Sequence, residues 1–179
     1  MICSKQVLLH ANDLLDQKLL ENGHFQPAYK SGSVFSALYE ITKIASLTIQ
    51  NRDVKISFDF GQVRERYPVL MFDKRRVQQV LYNLLSNAVK FTRKGEITVS
   101  GSVIPKEDDP GLFVLTVSVE DQGIGMTDED KERIFDEFKE SINLANRTLN
   151  PYSNRIGLSF CKRICQAFDG NISVVSVLG

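Results

Sequence analysis

The 179-residue sequence has no tryptophan, two histidines and three cysteines, and its charges cancel. The two histidines, His10 and His24, are too few for a zinc site built on several histidine ligands. The odd number of cysteines argues against a disulfide framework. Lys+Arg and Asp+Glu each total 22, so no net field draws the chain to nucleic acid or to an anionic membrane. We therefore expect no nucleic-acid partner.

Long hydrophobic runs are also absent. No apolar stretch approaches the roughly 20 residues that a membrane-spanning helix needs, and the segment after Leu9 is too polar for a secretory signal. With 42% hydrophobic and 25% charged residues, the composition is that of an ordinary globular protein. Cys161 and Cys165 lie four residues apart on a predicted helix. We expect them to pack as free thiols in a reducing cytosol, with a redox or metal pair as the alternative.

The apolar residues predict several helices. The first, over residues 1–22, carries Leu8, Ala11, Leu15 and Leu19 on a narrow stripe and ends at Gly23. Such a stripe is suited to packing against another helix, which predicts dimerisation through this segment. The other helices are predicted at residues 33–50, 73–91 and 158–168, with a short one that begins at Thr127.

Alternating hydrophobicity predicts the strands. Val54, Ile56, Phe58 and Phe60 point to one side of a half-buried strand. The segment VLMF at 69–72 predicts a short buried strand, and NISVVSV at 171–177 predicts a final one. Strands at 96–104 and 112–120 are joined by the charged loop PKEDDPG, while residues 139–155 are expected to form a mobile loop. Together with the helices, these largely antiparallel strands indicate an α+β sandwich with helices on one face of the sheet.

The helix predicted at 73–91 carries a polar stripe beside its apolar face. Asn83, Asn87 and Lys90 follow one another at i, i+4 and i+7. Polar groups at the border of a core need hydrogen-bond partners. A cation with phosphates would provide them, because amide oxygens can ligate Mg²⁺ and a lysine can neutralise phosphate charge. A solvated helix edge explains the same pattern, so the stripe alone leaves both interpretations open.

Two glycine-containing segments could approach a ligand closely. In DQGIGM a hydrophobic strand ends at Asp121, which could accept a hydrogen bond from an exocyclic amine such as that of adenine, and Gly123 and Gly125 allow close backbone approach. In NRIGLSFCKRI, Gly157 stands at the start of a helix whose backbone N–H groups could bind phosphate. A tight turn capped by aspartate is the alternative for the first segment. The phosphate loop GxxxxGK[ST] is absent, as is a GxGxxG that opens a helix.

In chain order, the segments NLLSNAVKFT, DQGIGM, IFDEF and IGLSFCKRI resemble the four nucleotide-binding boxes of sensor histidine kinases. These are the asparagine box, the first glycine box, the phenylalanine box and the second glycine box. The segment ANDLLDQKLLENGHFQP resembles the end of the second dimerisation helix and its link to the catalytic domain. The resemblance implies that residues 1–27 are the C-terminal part of a dimerisation and phosphoacceptor helix with its linker. It implies a histidine-kinase-like ATP-binding domain over 28–179, with its last strand truncated.

The resemblance implies the Bergerat fold, a two-layer α/β sandwich with a mixed, mostly antiparallel sheet. ATP would lie between the asparagine helix and the loop at 139–157, which would act as a lid. Asn87 and Asn83 would ligate Mg²⁺, Lys90 would face the phosphates, and Asp121 would bind the adenine amine. The other residues implied in ATP binding are Gly123, Gly125, Gly157 and Leu158, with Phe135 and Phe138 anchoring the lid. Arg155 departs from the family pattern but could meet the phosphates through its charge.

The activity implied by the resemblance is that of a histidine protein kinase. The chain would donate the γ-phosphoryl group of MgATP to a histidine that it does not contain, because His10 lies in the wrong helix for that role. The implied partners are a phosphoacceptor helix in the same protein or its dimer mate, and a downstream response-regulator receiver domain. We expect a homodimer in the full-length protein and a cytoplasmic location, including the cytoplasmic portion of a membrane receptor.

Two other functions stay open as alternatives. The second glycine box usually resembles GxGxGLS, whereas residues 153–159 read SNRIGLS, which places Arg155 where glycine is usual. This difference favours, as an alternative, a degenerate module that binds nucleotide weakly or only docks. A hydrolytic ATPase is the second alternative. It is disfavoured because gyrases, mismatch-repair proteins and chaperones of this fold resemble one another in having a glutamate, which prepares water for attack, where this chain has Asn83.

Overall fold

The computed structural model describes residues 25–49, 53–136 and 156–179. The chain divides into two compact units, one ending at Ile124 and the other beginning at Gly125. The helix predicted at 1–22 and the loop predicted at 139–155 lie outside the described residues. Over the described ranges, no helix has both the length and the apolar character that a membrane crossing requires.

The first unit alternates short strands with helices before it ends in a long hairpin. Its elements are β1 (Lys30–Gly32), α1 (Val34–Thr48), β2 (Val54–Asp59), α2 (Gly61–Arg66), β3 (Leu70–Phe72), α3 (Lys74–Phe91), β4 (Gly95–Lys106) and β5 (Asp109–Asp121). A three-stranded sheet has the order β2-β4-β5, with β2 parallel to β4 and β4 antiparallel to β5. Strands β1 and β3 form a separate antiparallel pair.

The core of the first unit lies between the helices α1 and α3 and one face of the sheet. Leu38 of α1, Leu85 of α3 and Ile97 of β4 are fully buried in one apolar cluster. Strand β4 alternates as a half-buried strand should: Val99 is buried, whereas its neighbours Thr98 and Ser100 are partly exposed. This arrangement confirms the predicted α+β sandwich.

Helix α3 starts at a buried aspartate that satisfies two separate backbone groups. The Oδ1 atom of Asp73 accepts a hydrogen bond from the Arg76 N–H at 3.1 Å, which caps the first turn. Its Oδ2 atom accepts from the Ala28 N–H at 2.8 Å. One carboxylate therefore begins the asparagine-bearing helix and fastens the chain that leads into the domain.

Substitution of Asp73 by alanine should lower the free energy of unfolding by about 2 kcal/mol, because the helix loses its cap and the Ala28 amide loses its acceptor. Urea denaturation followed by circular dichroism measures this change. Thr127→Ala serves as the control, since Thr127 caps only the six-residue helix that follows the first glycine box. Equal losses in the two variants would show that the Ala28 bond contributes nothing.

Two predictions about the strands of the first unit need correction. The segment at 69–72 is a strand over Leu70–Phe72, but it is not buried, because Met71 is 63% exposed. Among the described strands it pairs with the three-residue β1, and the side chains of Leu70 and Phe72 are half-buried. The predicted loop PKEDDPG is mostly strand: Pro105 pairs with Phe113, and a register shift after Pro105 accommodates the proline.

The second unit contains α4 (Asp128–Arg133) and α5 (Ile156–Ala167). Thr127 caps α4, as predicted, by accepting a hydrogen bond from the Asp130 N–H at 3.1 Å. On α5, Cys161 is fully buried and Cys165 is half-buried, and both are free thiols. Burial raises the pKa of the Cys165 thiol, which suits a packing role better than a reactive one.

The strand predicted at 171–177 is wrong: within the described residues, this segment belongs to no sheet. Its alternation is real, since Ile172 and Val174 are half-buried while Val175 is 95% exposed. However, a strand also needs a neighbouring backbone ladder. Here the polar groups of Ser176 bond instead to the Met126 N–H at 3.0 Å and to the Lys131 ammonium at 3.1 Å.

Candidate functional site

Helix α3 carries the predicted polar stripe along the border of its buried face. Asn83, Asn87 and Lys90 are all half-buried, while Leu81 and Leu85 on the neighbouring face are fully buried. The apolar residues hold the helix against the sheet, so the three polar side chains have a fixed orientation relative to the core. The stripe is thus part of a rigid element rather than of a loop.

The two asparagine side chains are suited to bind a metal cation that prefers oxygen ligands. No described residue forms a hydrogen bond with the side-chain amide of Asn83 or Asn87, although both are half-buried. Half-buried amides that form no hydrogen bond with a described residue can contact an external cation or water. Among the described residues, no cluster of three or more His, Cys, Asp or Glu side chains could hold a metal alone. A magnesium ion here would therefore need amide oxygens and ligand phosphates together.

Lys90 provides a positive charge one turn after Asn87. Its ammonium lies 5.0 Å from the centre of the Phe91 ring. Burial lowers the pKa of Lys90 from its usual value, because part of the water around the ammonium is removed. An anionic group such as a phosphate would compensate for this lost solvation.

Asp121 ends strand β5, and its two carboxylate oxygens differ in their hydrogen bonds to the described residues. The Oδ1 atom accepts from the Gly123 N–H at 2.9 Å and from the Thr92 hydroxyl at 3.4 Å. Within the described ranges, no side chain or backbone group donates to Oδ2. The carboxylate is exposed, so its Oδ2 atom can accept a hydrogen bond from a ligand amine.

Gly123 is held too tightly for any side chain. A Cβ atom at this position would lie 2.6 Å from Asp121 Oδ1 and 2.8 Å from the Phe91 carbonyl oxygen. The backbone after β5 therefore packs directly against the end of α3. This close approach is to protein atoms, and the predicted approach of the glycine backbone to a ligand stays a prediction.

Gly125 opens the second unit in a left-handed conformation. Its φ of 66° favours glycine, and a Cβ there would collide with the Val177 carbonyl oxygen. The next residue, Met126, donates its N–H to the Ser176 hydroxyl. Gly125 and Met126 are thus held by residues 176–178 of the same unit.

The remaining predicted residues divide between described and undescribed parts of the chain. Gly157 and Leu158 lie in the first turn of α5 and are half-buried, and Phe135 is half-buried after α4. Phe138 and Arg155 lie outside the described residues. Thr92 contacts Asp121 and received no role in the sequence analysis, although it ends the segment NLLSNAVKFT. The sequence signals this residue only by its place directly after the helix.

The family of the chain follows from comparison with known proteins. Residues 72–179 match the family described as histidine kinase-, DNA gyrase B- and HSP90-like ATPases. This region includes α3, the hairpin β4–β5, both glycine boxes and the second unit, and it is more than half of the chain. The chain belongs to this family, and as a member of an ATPase family it is an ATP-binding domain.

The relatives that match most of this chain are far longer than it is. The chain is 31% identical to hybrid signal transduction histidine kinase A of Dictyostelium discoideum, over 98% of this chain and 8% of that protein. It is also 31% identical to the non-motile and phage-resistance protein of Caulobacter vibrioides, over 98% of this chain and 20% of that protein. The chain thus spans a fifth or less of the length of these curated relatives.

Solved structures confirm the fold. Full-length ShkA in complex with AMPPNP superposes with a TM-score of 0.74 at 23% identity, over 98% of this chain and 34% of that chain. The histidine kinase AdeS of Acinetobacter baumannii superposes with a TM-score of 0.67 at 22% identity, over 96% of this chain and 73% of that one. The expected Bergerat-type sandwich of histidine kinase catalytic domains is confirmed.

Proposed function

We propose that this chain is the catalytic domain of a two-component sensor histidine kinase, which donates the γ-phosphoryl group of MgATP to a histidine outside the chain. One observation carries the proposal. The Asp121 carboxylate accepts, through one oxygen, a hydrogen bond from Thr92 at the end of the helix that bears Asn83, Asn87 and Lys90, and no described residue donates to its second oxygen. The acceptor for the adenine amine, at the end of β5, is thereby joined to α3, which carries the groups for metal and phosphate.

Each residue has a proposed task in binding or orientation. Asp121 accepts the adenine amine, Lys90 neutralises phosphate charge, and Asn87 and Asn83 offer amide oxygens to Mg²⁺. When bound, the ion neutralises charge on the β- and γ-phosphates. The residues that the family resemblance adds are Gly123, Gly125, Gly157 and Leu158, together with Phe135 and Phe138 for the lid. Arg155 departs from the family pattern, and its charge could meet the phosphates.

The proposed reaction needs orientation and charge neutralisation more than covalent chemistry from this chain. A histidine nitrogen forms a bond to the γ-phosphorus while the bond from that phosphorus to the bridging oxygen breaks, and ADP leaves. Asn83 carries an amide, which cannot remove a proton from water. The absence of a base at this position favours transfer to a protein over hydrolysis.

The proposed partners follow from this role. The phosphoryl acceptor would be a histidine-bearing helix of the same protein or of its dimer mate, and a receiver domain would take the phosphoryl group next. Relatives named hybrid signal transduction histidine kinases, and a two-component system protein of Emericella nidulans that is 32% identical over 90% of this chain, support such a pathway. We place the domain on the cytoplasmic side, where ATP is available.

Calorimetric titration of ATP into the purified chain, with Mg²⁺ and with EDTA, tests the proposal. We expect saturable binding that is tighter with Mg²⁺. A folded chain that binds no ATP under either condition would contradict the proposal. It would favour the alternative function, a docking module disabled by the SNRIGLS sequence of its second glycine box.

The Asn87→Ala substitution should abolish the effect of Mg²⁺ on ATP affinity, a loss of about tenfold, and leave the affinity in EDTA unchanged. The reason is that only the metal-bound form uses the amide oxygen as a ligand. The same titration measures both values. Ser86→Ala is the matched control, because Ser86 is the preceding residue of the same helix and is exposed. If Asn87→Ala weakened ATP binding equally with and without Mg²⁺, Asn87 would not be a metal ligand.

A further inference from the structure

Thr92 is a buried polar residue that joins the end of α3 to the end of β5. It is 4% exposed, and its N–H closes the helix by donating to the Ala88 carbonyl at 3.0 Å. Its hydroxyl donates to Asp121 Oδ1 at 3.4 Å, across 29 residues of sequence. A buried hydroxyl needs such a partner, and the partner here is the residue proposed to bind adenine.

The contact determines which way the Asp121 carboxylate faces. Its Oδ1 atom receives two donors, the Gly123 N–H at 2.9 Å and the Thr92 hydroxyl at 3.4 Å. With one oxygen held by two donors, rotation about the bond between Cβ and the carboxyl carbon is restricted. The Oδ2 atom, to which no group in the described part of the chain donates, then points in one direction.

We infer that Thr92 is a positioning residue for adenine recognition: by holding Oδ1 together with the Gly123 N–H, it aims Oδ2 of Asp121 at the exocyclic amine of the base. Thr92 does not touch the ligand in this proposal. Its contribution is to specificity, because a freely rotating carboxylate would favour the amine less over a hydrogen atom at the same position. The inference rests on the proposed function of this chain as an ATP-binding kinase domain.

The position of Thr92 also explains why the orientation would be kept during binding. The residue follows directly after the helix that carries Asn87 and Lys90. The Phe91 carbonyl beside it approaches Gly123 so closely that no Cβ fits between them. Movement of Asp121 relative to the asparagine helix would therefore require breaking the Thr92 contact and separating two packed backbones.

A pair of nucleotides that differ only at the amine tests the inference. ATP and purine riboside 5′-triphosphate, which has hydrogen in place of the amine, are titrated into the wild-type chain and into Thr92→Val, which keeps the shape but loses the hydroxyl. We expect Thr92→Val to reduce the preference for ATP over the analogue by roughly three- to tenfold. The affinity for the analogue itself should change little.

Thr92→Ser and Thr92→Ala form a second matched pair that also differs only by the hydroxyl. Serine should retain the wild-type preference and alanine should lose it, which tests the inference even if valine impairs folding. If neither Thr92→Val nor Thr92→Ala changed the preference while wild type bound ATP, the role of Thr92 would be wrong and the proposed function would stand. If folded wild type bound no ATP, both proposals would be wrong.

Discussion

Replacement of Asp121 by asparagine is expected to weaken ATP binding by about 100-fold or more, although the two side chains have nearly the same shape. The Gly123 N–H and the Thr92 hydroxyl both donate to one oxygen of this residue. An asparagine at 121 must keep its only carbonyl oxygen toward those two donors. Its NH₂ group then stands where Oδ2 stood and opposes the adenine amine, so a charge-assisted hydrogen bond is replaced by two facing donors.

The control for this substitution is Asp109→Asn. Asp109 accepts from the Gly111 N–H at 3.0 Å, in the same D-x-G turn geometry that Asp121 forms with Gly123 at 2.9 Å. It stands at the opposite end of β5, so the local effect of an aspartate-to-asparagine change is reproduced far from Asp121. Calorimetric titration should give a wild-type affinity for Asp109→Asn. Equal affinities for ATP in Asp121→Asn and wild type would show that Asp121 does not bind the base.

The parts of the fold that sequence patterns predicted are those whose signals are local. Helix α3 has apolar residues at helical spacing and an aspartate at its first position, and it begins and ends where these predict. Strand β2 was predicted from strict alternation over Val54–Asp59. In α3 the apolar spacing matches the buried face, whereas in β2 Phe58 is 46% exposed although the alternation places it with the buried residues.

Short elements without such signals escaped prediction. Helix α2 has only six residues, and Phe60 at its N-terminus makes no side-chain cap. Strand β1 is three residues of the sequence KSG, which have no strand preference of their own. Both elements exist because of tertiary context: Val63 of α2 is fully buried in the core, and β1 is paired with β3.

The candidate site also combines features with a local sequence signal and features that depend on tertiary packing. The spacing of Asn83, Asn87 and Lys90 on one helix is visible in sequence, because three and four residues make one turn. The link from Thr92 to Asp121 is not visible, because it depends on the packing of α3 beside β5. The prediction of a strand at 171–177 was wrong for a related reason. Alternation predicts an extended chain but cannot predict whether another strand lies beside it.

The Gly123→Ala substitution should reduce ATP affinity more than tenfold while it leaves most of the fold intact. The new methyl group would meet Asp121 Oδ1 at 2.6 Å and the Phe91 carbonyl oxygen at 2.8 Å. Neither neighbour is the flexible end of a long side chain. The strand end must therefore move away from α3, which displaces the Asp121 carboxylate from its two donors. Overpacking of this kind costs about 1–3 kcal/mol of stability.

Gly61→Ala separates this steric effect from the general effect of losing a glycine. Gly61 also follows an aspartate by two residues and donates its N–H to it at 3.2 Å, but a Cβ there would lie 3.6 Å from Asp59 Oδ1, an ordinary contact. Thermal unfolding and ATP titration on both variants give the comparison. We expect Gly61→Ala to bind ATP as wild type does and Gly123→Ala to bind it weakly while still unfolding cooperatively. Wild-type ATP binding by Gly123→Ala would mean that the backbone contact with Phe91 can relax without moving Asp121, and the close packing of these two segments would then have no part in recognition of the base.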